Sequence, residues 1–119
     1  MVKIKNKKNI TPRAMDCLEI RELMSGKNSN LAIYHNTMRA NVKHVEVVHD
    51  KADEFVYILK GTAGGTINSK KIKLKEGDFL FMPAGTRHKF ETDGNDVEVI
   101  SVFHAGFGSG SIDSRLAKT

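Results

Sequence analysis

NVKHVEVVHDKADEFVYILKG, residues 41–61, and GDFLFMPAGTRHKFET, residues 77–92, decide the reading of this chain. Each block is an apolar-rich run that breaks at a polar or Pro-Gly turn and resumes, which is the pattern of a strand, a turn and a strand. Each also carries metal-ligand chemistry at a strand end. His49 closes one predicted strand, Glu54 opens the next across the loop Asp50-Lys51-Ala52-Asp53, and His88 follows Pro83-Ala84-Gly85.

Outward from these blocks the chain keeps the same rhythm. Leu31 to Met38 is predicted as a strand, with Ala32 and Tyr34 on one face and Leu31 and Ile33 on the other. Val42 to His49 is expected as a second strand, with Val45, Val47 and His49 on one face and His44, Glu46 and Val48 on the other. Glu54 to Lys60 is apolar on both faces, Val56 and Ile58 opposing Phe55, Tyr57 and Leu59. Such a strand wants cover on both sides, from an N-terminal segment or another subunit. Gly61, Gly64 and Gly65 permit bends in the following strand, and Asn68-Ser69-Lys70 turns it. Ile72 and Leu74 then alternate with lysines, and Phe79 to Met82 is expected as a short buried strand. Asp93-Gly94-Asn95-Asp96 is a turn before a last strand, Val97 to His104. Met15 to Met24 reads equally as strand or helix, and Gly26 to Asn30 as a turn. Many short strands between turn signals, with no firm helix, indicate an all-β sandwich or barrel.

The chain has 119 residues, enough for one core. The expected organisation is a flexible segment over 1–13, one β-barrel domain over 14–104 and a Gly/Ser-rich flexible tail over 105–119. Hydrophobic residues make up 39% and charged residues 28%, ordinary for a soluble protein. No apolar run is long enough to span a bilayer, and the lysine-rich start lacks the apolar stretch of a secretory signal. Cys17 is the one cysteine, so no internal disulfide can form, and a cytoplasmic location is expected. The net charge of +5 comes largely from Lys3, Lys5, Lys7 and Lys8 and from Lys70, Lys71, Lys73 and Lys75. Neither cluster has an aromatic neighbour to stack a base, so neither nucleic acid nor membrane is an expected partner.

The two blocks resemble the paired motifs of the cupin superfamily. The first family motif runs Gly, five residues, His-x-His, three or four residues, Glu, six residues, Gly; here Asn41, Val47, His49, Glu54 and Gly61 occupy that frame. The second runs Gly, five residues, Pro-x-Gly, two residues, His, three residues, Asn; here it is Gly77, Pro83, Gly85, His88 and Thr92. The resemblance implies an all-β fold of the double-stranded β-helix, or jelly-roll barrel, type. It implies a homodimer, a small-molecule ligand and one divalent metal ion (Fe, Mn, Ni, Zn or Cu). It also implies isomerase, dioxygenase or lyase chemistry on a sugar-like molecule or oxygenated acid.

Three positions depart from the family pattern. Asn41 for Gly is mild, since Asn tolerates a positive φ. Thr92 for Asn is expected to act behind the ligands. Val47 for His removes a ligand and leaves His49, Glu54 and His88 as the metal set, two imidazoles and a carboxylate with open positions. Two readings of that trio remain open. It could hold a metal and serve catalysis, or it could belong to a non-catalytic binding or sensing barrel with a degenerate site. Val47 and Phe90 are expected to line the pocket. His104, on the last strand, could enter the barrel or lie at the surface. His35 and His44 read as structural or exposed, Cys17 as a small apolar residue, and Arg39 and Arg87 as rim or solvated cations.

Overall fold

Positive φ angles occur at Asn41, Asn68 and Ser69 and at Gly61, Gly77 and Gly85. Four of these, Asn41, Gly61, Gly77 and Gly85, are the glycine positions of the two motif frames, so the turns that set the strand register lie where the sequence places them. A Cβ at Gly61 would meet the backbone oxygen of Asp96 at 2.7 Å, so only glycine fits that close approach.

The computed structural model describes residues 2–15, 17–24, 30–104 and 115–116. After one 3-10 turn at Lys7–Asn9 come strands β1 (Arg13–Met15), β2 (Leu18–Met24), β3 (Leu31–Met38), β4 (Val47–Val48) and β5 (Asp53–Lys60). They continue as β6 (Ala63–Ile67), β7 (Lys70–Leu74), β8 (Phe79–Met82), β9 (Arg87–Thr92), β10 (Val97–His104) and β11 (Arg115–Leu116). Two antiparallel sheets result, ordered β1-β2-β3-β10-β5-β8 and β11-β4-β9-β6-β7. This is the all-β jelly-roll barrel expected from the sequence. The segment Met15 to Met24, open between helix and strand, is strand. Arg115–Leu116, inside the expected tail, pairs with β4; the remainder of 105–119 and most of the turn at 26–30 lie outside the described residues.

The strands that recur in space are far apart in sequence. β10 lies between β3 and β5, with Ser101 opposite both Tyr34 and Val56. One core cluster gathers Met38, Val56, Ile58, Ala63, Met82, Val97 and Val99 between the sheets. A second gathers Ile20, Ala32, Tyr34, Ala52 and Phe103. Between these walls lies a cavity of about 850 Å³.

Two expectations are corrected here. The stretch expected as one strand, Val42 to His49, is a ladder only at Val47–Val48, with an isolated bridge from Lys43 to Glu91. Strict alternation lapses over 42–46, and His44 lines the same cavity as Val47 and His49 rather than the opposite face. Phe79 to Met82 is a strand but not a buried one, because it is the edge of the larger sheet. Only Met82 is buried there, and Phe79 and Phe81 are 66% and 60% exposed. The outer face of β5 is accordingly uncovered at Tyr57 and Leu59.

Candidate metal centre

β5 points Glu54, Val56 and Ile58 inward, so the first inward residue after the 49–53 loop is a carboxylate. Glu54 and His88 are buried and His49 is half-buried. Glu54 Oε1 lies 3.4 Å from His49 Nε2 and 3.5 Å from His88 Nε2. The three expected ligands are thus brought together from two sheets.

The surrounding chain fixes their orientation. The His49 carbonyl accepts a 2.8 Å hydrogen bond from the Gly85 amide, and Asp53 Oδ1 accepts from the Ala84 amide at 2.9 Å. The Pro-Gly turn is therefore tied to both ends of the loop that carries His49. His88 Nδ1 donates to the Thr86 carbonyl at 3.1 Å. In the neutral ring this leaves the Nε2 lone pair facing Glu54, the tautomer a metal ligand requires.

The donor set fits a divalent ion. Metal–ligand bonds of about 2.0–2.2 Å place neighbouring ligand atoms roughly 3.0–3.5 Å apart, and the His–Glu separations fall in that range. Glu54 Oε1 is moreover buried with no hydrogen-bond partner among the described residues. A lone pair facing a buried carboxylate oxygen is unfavourable unless a cation neutralises both.

Val47 pairs with His88 across the β4–β9 ladder and lines the cavity, so an apolar side chain stands where the family pattern puts a further imidazole. Phe90 lines it too, its ring centroid 5.9 Å from that of His88. The bare backbone at Gly65 gives that ring room, since a Cβ there would lie 3.2 Å from Phe90 Cδ1. His104 does not enter the barrel. Alternation along β10 turns Phe103 inward and His104 outward, where it is exposed near Asp53. Thr92 sits apart from the trio, donating to the Arg39 carbonyl and accepting from the Val42 amide. It thereby clamps the turn of Asn41, so two departures from the motif frame meet at one place. Arg39 pairs with Glu19 and Asp96, Arg87 with Glu46, and the buried His35 with Glu98.

Sequence reasoning missed the cavity's second polar feature. Tyr34 donates to Glu22 Oε1 at 3.4 Å, and Asn36 Nδ2 donates to Ser101 Oγ at 3.3 Å, all four residues lining the cavity. Burial raises the Tyr34 pKa above its ordinary 10.0, and the Glu22 charge adds to the shift. Only the alternation of Ala32 and Tyr34 hinted that a polar tip pointed inward.

Residues 37–103 match the sequence profile of the Cupin domain family (Cupin_2). Over 85 residues the chain is 35% identical to the uncharacterized HTH-type transcriptional regulator YdeC of Bacillus subtilis, covering 68% of this chain and 29% of that protein. The chain spans less than half the length of the curated relatives it matches. Among solved structures, the polyketide cyclase RemF from Streptomyces resistomycificus superposes with a TM-score of 0.82 at 15% identity, covering all of this chain and 87% of that one. A sugar phosphate isomerase from Silicibacter pomeroyi superposes at 0.80 and 16% identity, covering 98% and 83%. At such identities these likenesses concern the fold.

Proposed function

Because this chain belongs to the cupin family, we propose that it is a divalent-metal-dependent enzyme acting on a small organic substrate within the barrel. The observation that carries this reading is Glu54 Oε1, buried and without a hydrogen-bond partner among the described residues, beside two imidazole nitrogens at metal-ligand spacing. His49, Glu54 and His88 would hold one ion, Fe, Mn, Ni, Zn or Cu. Bound there, such an ion polarises a carbonyl or activates a water. The chain's own part is to orient the ligands through Gly85 and Thr86. It also keeps the inner wall dry with Val47, Phe90 and Phe103, so that charges in the site act in a low dielectric. Its reaction class lies among isomerase, dioxygenase and lyase.

A second reading has its own support. The absent fourth imidazole at Val47 and the likeness to a transcriptional regulator favour a non-catalytic binding or sensing barrel. Elemental analysis of untagged protein purified without chelator separates the readings, run beside His49→Ala and His88→Ala. Near-stoichiometric metal that vanishes in both variants is expected. Metal-free protein with equally stable variants would overturn the enzyme reading.

We also propose a cytoplasmic homodimer. No described helix is long and apolar enough to cross a membrane. A second copy is the natural cover for the exposed edge at β8.

A further inference from the structure

The inner face of the larger sheet carries a polar strip where a barrel interior is ordinarily apolar. Register places Ser101 opposite Tyr34 and Tyr34 opposite Glu22, with Asn36 the next inward residue along β3. Ser101 and Tyr34 are buried, and Glu22 stands at the exposed rim. Asn36 Oδ1 is buried without a hydrogen-bond partner among the described residues, although its amide nitrogen is bonded to Ser101. An orphaned buried carbonyl is unfavourable, and a ligand hydrogen would offset that cost.

The strip is joined to the metal centre by one aromatic residue. Phe103 makes edge contacts with the Tyr34 ring at 5.9 Å and with the His49 ring at 5.0 Å. The two contacts bound the Tyr34–His49 ring separation at about 11 Å. Between the poles the walls are apolar, with Ile20, Met38, Val47, Val56 and Phe90. These cannot satisfy the many hydroxyls of a sugar, each of which would lose its water. Among the described residues the lining lysine and arginine, Lys89 and Arg13, are both exposed, so no buried Lys or Arg side chain awaits a small diacid. The cavity also lies in the range of drug-sized ligands, about 300–1,000 Å³, far above what such acids fill.

We propose that Tyr34, Asn36 and Ser101 form a recognition subsite for a hydroxylated aromatic ligand. One hydroxyl of this ligand donates to Asn36 Oδ1 within reach of Tyr34, while an oxygen at its other end faces His49, Glu54 and His88. Glu22 holds the Tyr34 hydroxyl by accepting its proton in a hydrogen bond, which leaves the Tyr34 oxygen lone pairs free to accept from the ligand. The subsite rests on the reading of this cavity as a small-molecule site, but it makes no use of the ion.

The test compares 2,7-dihydroxynaphthalene, 2-naphthol, glucose 6-phosphate and oxalate by calorimetric titration, with metal-loaded and chelator-stripped protein. The second hydroxyl is expected to tighten binding about tenfold, the worth of one well-placed buried hydrogen bond. Asn36→Leu should abolish that preference while leaving metal content unchanged. Tyr34→Phe, which keeps the ring against Phe103, should reduce it and serves if Asn36→Leu does not fold. An undiminished preference in both variants, or tighter binding of glucose 6-phosphate or oxalate to the chelator-stripped protein, would overturn the subsite. A preference that persists in protein unable to load any metal supports the subsite and defeats only the metal reading. Full metal loading with no preference defeats only the subsite.

Discussion

Val47 faces His88 across the β4–β9 ladder, and the choice of valine there shapes the centre more than any other residue. A β-branched apolar side chain suits a strand, keeps water from that side of the trio and leaves coordination positions open. Restoring the family residue with Val47→His is expected to tighten metal binding at least about tenfold, or ~1.4 kcal/mol, by adding a ligand. Competition against a metallochromic chelator would check it, and unchanged affinity would mean that position 47 does not face the ion. Tyr34 gives a separate expectation for pH. Its raised pKa means that the folded chain holds the phenolic proton more tightly than the unfolded chain does. Its contribution to stability is therefore complete below pH 10 and is lost as pH climbs above it. Urea melts between pH 9 and 11 should show a decline that is shallower in Tyr34→Phe.

Among the elements, β8 is the one left incomplete. Its Phe79 and Phe81 stand opposite Tyr57 and Phe55 of β5, and the Phe55 and Phe79 rings lie 5.7 Å apart. On the same outer face, toward β2 and β3, the N-terminal segment supplies cover: Lys7 reaches Glu98, and the Ile10 carbonyl accepts from Arg21 Nε. No such cover lies over the aromatic rows of β5 and β8 among the described residues. An apolar edge strand with unpaired backbone is an invitation to pair with another chain. Burying one phenylalanine is worth about 1.5–3 kcal/mol, so two from each copy would supply a large share of the stabilisation of such a contact. Light scattering at micromolar concentration should give a dimer. Phe79→Ser with Phe81→Ser should give a folded monomer that keeps its metal, and a monomeric wild type would discard the arrangement.

For the whole molecule, the centre bridges the two sheets, with Glu54 on one and His88 on the other. An ion held there binds the folded chain only, so metal and folding are linked. At a free concentration 100 times its Kd, the ion stabilises the fold by about 2.7 kcal/mol, which raises Tm by roughly 10–20 °C in a domain of this size. Scanning calorimetry of chelator-treated protein with and without added ion should show that rise, and Glu54→Ala should lose it.

How much of this was legible in the residues divides along one line. Asn41, Gly61, Gly77 and Gly85 announced their positive φ turns, and through that spacing the register of His49, Glu54 and His88 could be counted without coordinates. Turn chemistry and period-two alternation are local properties, and the sequence by itself determined them, together with the all-β class. It could not say which faces find cover. Phe79 and Phe81 look like core residues until β8 proves to be an edge, and His44 looks like an outward residue until the chain at 42–46 leaves regular pairing. His104 could be placed only once β10 had been set between β3 and β5. The alignment of Glu22, Tyr34, Asn36 and Ser101 likewise came only from the tertiary structure. Those four residues lie on three strands, the consecutive β2 and β3 and the sequence-distant β10, and long-range pairing is chosen by the packing of the whole barrel rather than by any stretch of chain.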